Sequence, residues 1–267
     1  MKKIAASILF PVLLYSCNKQ ESTPVYDSAP VVTGYLNAGD PFSLQLSHQQ
    51  SISSTTYAPP GLDSLDITVT CNDTIYRLLP EGNGIYKDSS LQLIAGNQYN
   101  LSFSYNGTVV SASTIAPSKP SGFAESETEI SIAQITSSSS MPSFGGGNVV
   151  TLSWDNPDGS YYLVVVQNIS STKIPIVDTT AKNNDTATIL VKQPTTGTST
   201  LLTQNSFKYF GNHRIILFHV NPDYVSLYLA NNSSSQDLST PSTGIANGVG
   251  IFTGVNSDTL FLQVDKQ

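Results

Sequence analysis

Along most of the chain, apolar and polar residues take turns one by one. In 65–71, Leu65, Ile67, Val69 and Cys71 fall on one side, and Asp66, Thr68 and Thr70 on the other. This is the period of two that a half-buried β-strand imposes, because successive side chains point to opposite faces. The same alternation predicts strands over 31–36, 42–46, 65–71, 74–79, 90–93, 99–105 and 108–114. Turn chemistry separates them: Asn37-Ala38-Gly39-Asp40, Cys71-Asn72-Asp73, Pro80-Glu81-Gly82-Asn83-Gly84, Gly96-Asn97 and Asn106-Gly107. The last pair supplies positive φ at both centres of a type I′ hairpin. About seven short strands in roughly ninety residues describe a β-sandwich.

A proline-bearing joint, Ala116-Pro117-Ser118-Lys119-Pro120-Ser121-Gly122, then reads as an interdomain linker. Beyond it the pattern predicts strands over 129–135, 149–154, 161–168, 187–192, 201–203, 214–221 and 259–264. A low-complexity stretch from Ser137 to Gly147 interrupts them and lacks the Lys-Ser/Thr pair and following helix of a phosphate-binding loop. Trp154 at a strand end, Tyr161-Tyr162 opening the next, and the run 214–221 together resemble the core strands of fibronectin type III modules. One short helix is predicted near 222–230, with Asn221 as its cap, Pro222 in its first position, and Tyr224, Leu227 and Tyr228 on one face. The expectation is an all-β protein of two consecutive immunoglobulin/fibronectin III-like β-sandwiches, 30–116 and 125–267, with 117–124 as the linker.

The first residues depart from this pattern. Lys2 and Lys3 precede an apolar run from Ile4 to Leu14, the layout of a secretory signal. The run is too short to span a bilayer as a helix, which takes about 20 residues. Leu14-Tyr15-Ser16-Cys17 resembles the lipobox of bacterial lipoproteins, with Tyr15 bulkier than the usual small residue. The resemblance implies that 1–16 is a signal peptide and that the Cys17 thiol takes up a diacylglyceryl group. Acylation there makes Cys17 the new amino terminus, and several acyl chains such as palmitate hold the protein on the membrane. The polar stretch that follows reads as a lipidated tether, 17–29, and Asn18 after the cysteine implies the outer membrane.

Charge and cysteine usage narrow the partners. The chain carries 12 Lys+Arg against 19 Asp+Glu, and loss of Lys2 and Lys3 leaves 10 against 19. An acidic balance without a basic cluster argues against nucleic acid and anionic headgroups. With Cys17 acylated, Cys71 stands alone, so no intramolecular disulfide is expected. Its place among Leu65, Ile67 and Val69 favours an inert core cysteine over a catalytic thiol.

The closing stretch, Thr243-Gly244-Ile245-Ala246-Asn247-Gly248-Val249-Gly250-Ile251-Phe252-Thr253-Gly254 and then Asp258-Thr259-Leu260, resembles that of Bacteroidetes lipoproteins of the domain-of-unknown-function 4249 family (DUF4249). The lipobox, Val31-Val32-Thr33-Gly34-Tyr35-Leu36, Gly96-Asn97-Gln98-Tyr99-Asn100-Leu101 and Ser113-Thr114-Ile115-Ala116-Pro117 carry the same resemblance. It implies an accessory lipoprotein on the cell surface, with a TonB-dependent outer-membrane receptor as partner and no established activity. Gly248, Gly250 and Gly254 have a plainer physical reading, tight turns and close backbone approach beside a strand.

Catalytic signatures are missing from the sequence: it contains no zinc-protease helix motif, P-loop, nucleophile elbow or dinucleotide fingerprint. No catalytic residue, cofactor or metal is therefore assigned, and the expectation is a non-enzyme. His48, His213 and His219 read as surface or interface residues, and Asp155, Asn156 and Asp158 as turn chemistry before Gly159 rather than a calcium loop. Asp followed by Ser or Thr and a small or apolar residue recurs at Ser28, Ser64, Thr74, Thr179, Thr186 and Thr259. These six resemble the O-glycosylation sequon of exported Bacteroidetes proteins, although Asp-Thr is also common at strand entrances. Tyr57, Tyr161 and Tyr162 are the candidate ligand contacts of the alternative reading, a glycan-binding or adhesion-type surface protein.

Overall fold

A computed structural model of the chain describes residues 29–49, 59–135, 150–177, 187–231 and 244–267. The all-β expectation holds. The first sandwich is built from β1 (Val31–Asn37), β2 (Pro41–Ser47), β3 (Ile67–Cys71), β4 (Thr74–Gly82), β5 (Ile85–Gln92), β6 (Gln98–Tyr105) and β7 (Thr108–Ile115). They are hydrogen-bonded in the order β1-β2-β5-β4-β3-β6-β7. Their inward faces carry Val32, Leu46, Ile67, Val69, Tyr86, Tyr99 and Leu101, all essentially inaccessible. Asn106 and Gly107 have φ of 49° and 77°, the predicted two-residue turn between β6 and β7.

The second sandwich contains β8 (Ala124–Glu125), β9 (Glu129–Ile132), β10 (Val150–Ser153), β11 (Tyr161–Asn168), β12 (Ile189–Val191), β13 (Ser199–Leu202) and β14 (Gly211–Val220). The helix α1 (Pro222–Asn231), β15 (Ile245–Ala246) and β16 (Val249–Lys266) complete the chain. A small sheet, β13-β10-β8, packs on the larger β12-β11-β14-β16, with β9 parallel to the end of β16. Val150, Leu152, Trp154 and Leu202 from one sheet meet Val164, Val166, Ile215 and Leu217 from the other.

The two sandwiches follow one another along the chain as far as α1, and the closing strands are then shared between them. After α1 the chain returns to the first one: β15 pairs with β7, and Val249–Val255 of β16 pair in parallel with β1. From Val255 to Val264 the same strand pairs antiparallel with β14. Ile245 and Phe252 accordingly lie in the first core and Leu262 and Val264 in the second. The second sandwich is thus inserted between β7 and β15 of the first, and the expected unit 125–267 gives up its 245–255 stretch. At about 3.3 Å per residue a strand of this length runs roughly 60 Å, too long for one sandwich.

Glycine makes the sharing feasible. Gly250 has φ +109°, and a Cβ there would stand 2.0 Å from the carbonyl oxygen of Val32. The glycines of the closing stretch thus serve close approach, as read from the sequence.

The 117–124 segment is held rather than free. Pro117 O accepts from Asn256 Nδ2 at 3.1 Å, Ser118 O lies 2.9 Å from His219 Nδ1, and Lys119 pairs with Asp258 at 3.0 Å. Ser121 O accepts from the Asp155 backbone at 2.8 Å. Asn221 precedes α1 as predicted, but its side chain turns to the junction. Its Nδ2 lies 3.0–3.2 Å from Thr114 Oγ1, Ile115 O and Gly254 O.

Candidate ligand cleft

One end of the second sandwich is closed by irregular chain. The extended stretch 174–177 is hydrogen-bonded on both sides. Ile176 N donates to Lys208 O at 3.0 Å, Phe210 N donates to Ile174 O at 2.9 Å, and Ile135 N donates to Ile176 O at 2.9 Å. Gln134 Nε2 fixes Pro175 O at 2.9 Å, and Gln134 Oε1 accepts from Lys266 Nζ at 2.6 Å. A 3-10 turn, Gln204–Ser206, follows β13, and Ser206 Oγ accepts from Thr203 N at 3.1 Å, which turns the chain so that Phe207 points inward.

Between these segments lies an open cleft of about 540 Å³, lined by Ile135, Lys173, Pro175, Ile176, Val177, Gln204, Asn205, Phe207, Lys208 and Tyr209. That volume falls in the range of small-molecule sites, about 300–1,000 Å³. Its lining is mostly apolar and aromatic, with amides and two amines and no carboxylate among the described residues.

Behind the cleft a polar chain runs from the exposed Lys173 to the buried Asn168 and His213. Lys173 Nζ donates to Asn168 Oδ1 at 2.6 Å, Ser170 O at 2.7 Å and Asn168 O at 3.2 Å. Asn168 Nδ2 lies 3.2 Å from His213 Nε2, and His213 Nδ1 lies 2.9 Å from Gly211 O. This arrangement suits a neutral imidazole with its proton on Nδ1. Burial pushes the His213 pKa down to about 4; the Gly211 carbonyl opposes the shift and the Lys173 charge adds to it. The Phe207 ring meets His213 edge-on at 5.1 Å and so joins the cleft to this chain.

A second aromatic site lies at the junction of the sandwiches. Tyr35 on β1, 47% exposed, meets Tyr224 of α1 edge-to-face at 6.1 Å. Burial raises the pKa of both phenols, and the Asp223 charge raises that of Tyr35 further.

Several residues picked out in the sequence lie elsewhere. Tyr162 is 4% exposed, packed on Trp154 at 5.8 Å and stacked on His219 at 4.9 Å. It is a core residue and not a ligand contact, because β11 is covered on both faces. Tyr161 is half-buried against a small cluster that includes Leu163 and Val220. His213 and His219 are buried, contrary to the surface reading, since β14 begins at Gly211 and carries both inside. Cys71 is buried, as an inert core cysteine should be. Ser64 is exposed with φ 66°, Thr74 is exposed at the start of β4, and Thr259 is half-buried within β16. Asp158 Oδ1 accepts from Ser160 N and Asn156 Nδ2 donates to Ser160 O, the bonds of a turn. Cys17, Ser28, Tyr57, Thr179 and Thr186 lie outside the described residues. Among the described residues no group of three His, Cys, Asp or Glu is placed to hold a metal, and no helix is long and apolar enough to cross a membrane.

No protein-family model and no curated protein matches the sequence. Among solved structures, the chain is similar to a two-domain fibronectin type III segment of chicken tenascin, with 13% identity over 72% of this chain and 91% of that one, and a TM-score of 0.21. It is also similar to the FN1–FN3 domains of chicken CNTN1, with 10% identity, 87% and 69% covered, and a TM-score of 0.22. Domains A168–A170 of titin match at 9% identity, with 88% and 66% covered and a TM-score of 0.22.

Proposed function

We propose that this protein is a non-enzymatic outer-membrane lipoprotein of the DUF4249 type, anchored through Cys17, which binds a small ligand beside a TonB-dependent receptor at the cell surface. The observation that carries the ligand-binding part is the cleft between Ile135, the 173–177 stretch and the 204–209 segment. It is concave, largely apolar, and built on backbone pairing rather than on loose chain. The anchor and the receptor rest on the signal-like amino terminus and the family resemblance. Two experiments test them. Cys17→Ala is expected to leave the membrane fraction, and its continued presence in the outer membrane would remove the anchor. Affinity purification from native membranes is expected to recover a β-barrel receptor, and repeated recovery of none would remove that partnership.

The pair of exposed Tyr35 and half-buried Tyr224 favours a second reading, a glycan-binding surface protein, in which these tyrosines take the place of Tyr162. Glycan-array binding that Tyr35→Ala abolishes supports it, and an array without signal removes it.

A further inference from the structure

The charge of the cleft runs against the charge of the chain. Acids outnumber bases 19 to 12 in the sequence, yet two lysines and no acid are found among the described lining residues. Lys173 is the better defined of the two. Among the described residues its bonds go to neutral oxygens, two backbone carbonyls and the Asn168 amide, and none of these offsets its charge. The ammonium is also held in place: Asn168 is buried and itself bonded to Phe210 O at 3.1 Å. Pro175, Phe207 and Tyr209 provide an apolar and aromatic wall beside it.

We infer that the cleft selects a small ligand with an apolar body and a single anionic group, a carboxylate or a phosphate, and that Lys173 is the residue that distinguishes it from a neutral or cationic analogue. The inference rests on the ligand-binding reading above and adds the ligand's chemical class. Burial of the body supplies most of the affinity, and the fixed charge supplies the discrimination. Among the described lining residues a cation of the same shape meets Lys173 and no carboxylate.

The test uses four matched probes on the full chain: hydrocinnamate, benzyl phosphate, the neutral hydrocinnamyl alcohol and the cationic phenylpropylamine. Binding is followed by nuclear magnetic resonance through the amide signals of Ile176 and Phe207. One or both anions are expected to bind about three- to tenfold more tightly than the alcohol, and the amine more weakly than either. Which anion leads tells carboxylate from phosphate. Lys173→Gln is expected to erase the preference of the anions over the alcohol, and Lys173→Arg to keep it. On the unmodified protein, added salt is expected to weaken the anions and not the alcohol, a check that needs no variant. If no probe moves the Ile176 and Phe207 signals, the cleft is not a binding site and the ligand-binding reading falls with it. If the alcohol or the amine binds as tightly as the anions, the cleft stands and the charge selection is overturned.

Discussion

Replacing Gly250 with alanine puts a methyl group 2.0 Å from the carbonyl oxygen of Val32, where ordinary contact begins near 3.4 Å. The obstacle is backbone, so no side chain can swing away, and β1 and β16 must part by more than an ångström. Parting disturbs the parallel ladder in which Val31, Val32 and Thr33 face Val249, Gly250 and Ile251. Two weakened ladder bonds at about 1 kcal/mol each, with about 1–2 kcal/mol for an alanine at positive φ, give a loss of roughly 3–4 kcal/mol. For a chain of this size that lowers the melting temperature by roughly 10 °C. Gly39 provides the control: its φ is +92°, and a Cβ there meets nothing within 4 Å. Gly39→Ala therefore carries only the conformational penalty and is expected to lower the melting temperature by roughly 4 °C. Scanning calorimetry of both variants decides the matter. Equal losses for the two substitutions would show that β16 does not pass against β1 as described.

Three other outcomes follow from the same contacts. His213 is held near pKa 4 in the folded protein against an ordinary 6.5, so below about pH 6.5 the unfolded chain takes up a proton that the folded one refuses. Stability is therefore full above that pH and falls as the pH drops toward about 4, by up to about 3 kcal/mol, and urea titrations should show His213→Gln with a flatter profile across this window. Asn221→Ala strips the amide donor from Ile115 O and Gly254 O and should cost about 1–3 kcal/mol, read as a lower melting temperature and faster proteolytic cleavage near the junction. Deleting 244–267 removes a strand from both sandwiches, so circular dichroism should show loss of cooperative unfolding of the whole chain rather than of its carboxyl-terminal half.

Most of the strand content was legible because inward and outward residues alternate, as in Ile67, Val69 and Cys71 of β3. The amino-terminal part of β5 was not: Lys87, Asp88 and Ser89 give no apolar period, and its buried residues are Tyr86 and Leu91. β16 was half hidden, since Gly248, Gly250 and Gly254 read as turn chemistry until β1 and β14 are present to pair with the strand. The Tyr161-Tyr162 pair shows a related limit. Which of two adjacent tyrosines faces the core depends on the cover over each face, and β11 has cover on both. The cleft had no local signal at all, because Ile135, the 173–177 stretch and the 204–209 segment meet only through tertiary pairing.

The shared strand also sets where the cleft stands relative to the point at which the chain enters the fold. Val249 N, at the start of β16, donates to Pro30 O just ahead of β1. Lys266, at its other end, holds Gln134, and Gln134 holds Pro175 on the wall of the cleft. Entry point and cleft are thus separated by the run of β16, roughly 60 Å at strand rise. With the acyl chains proposed at Cys17, the tether adds up to about 45 Å when fully extended. Under the proposed anchoring, a cleft at that reach stands clear of the bilayer, on the side of a solute or of the exposed face of the proposed receptor. The same β16 locks both sandwiches together, so the reach is a property of one continuous strand rather than of a hinge between two bodies.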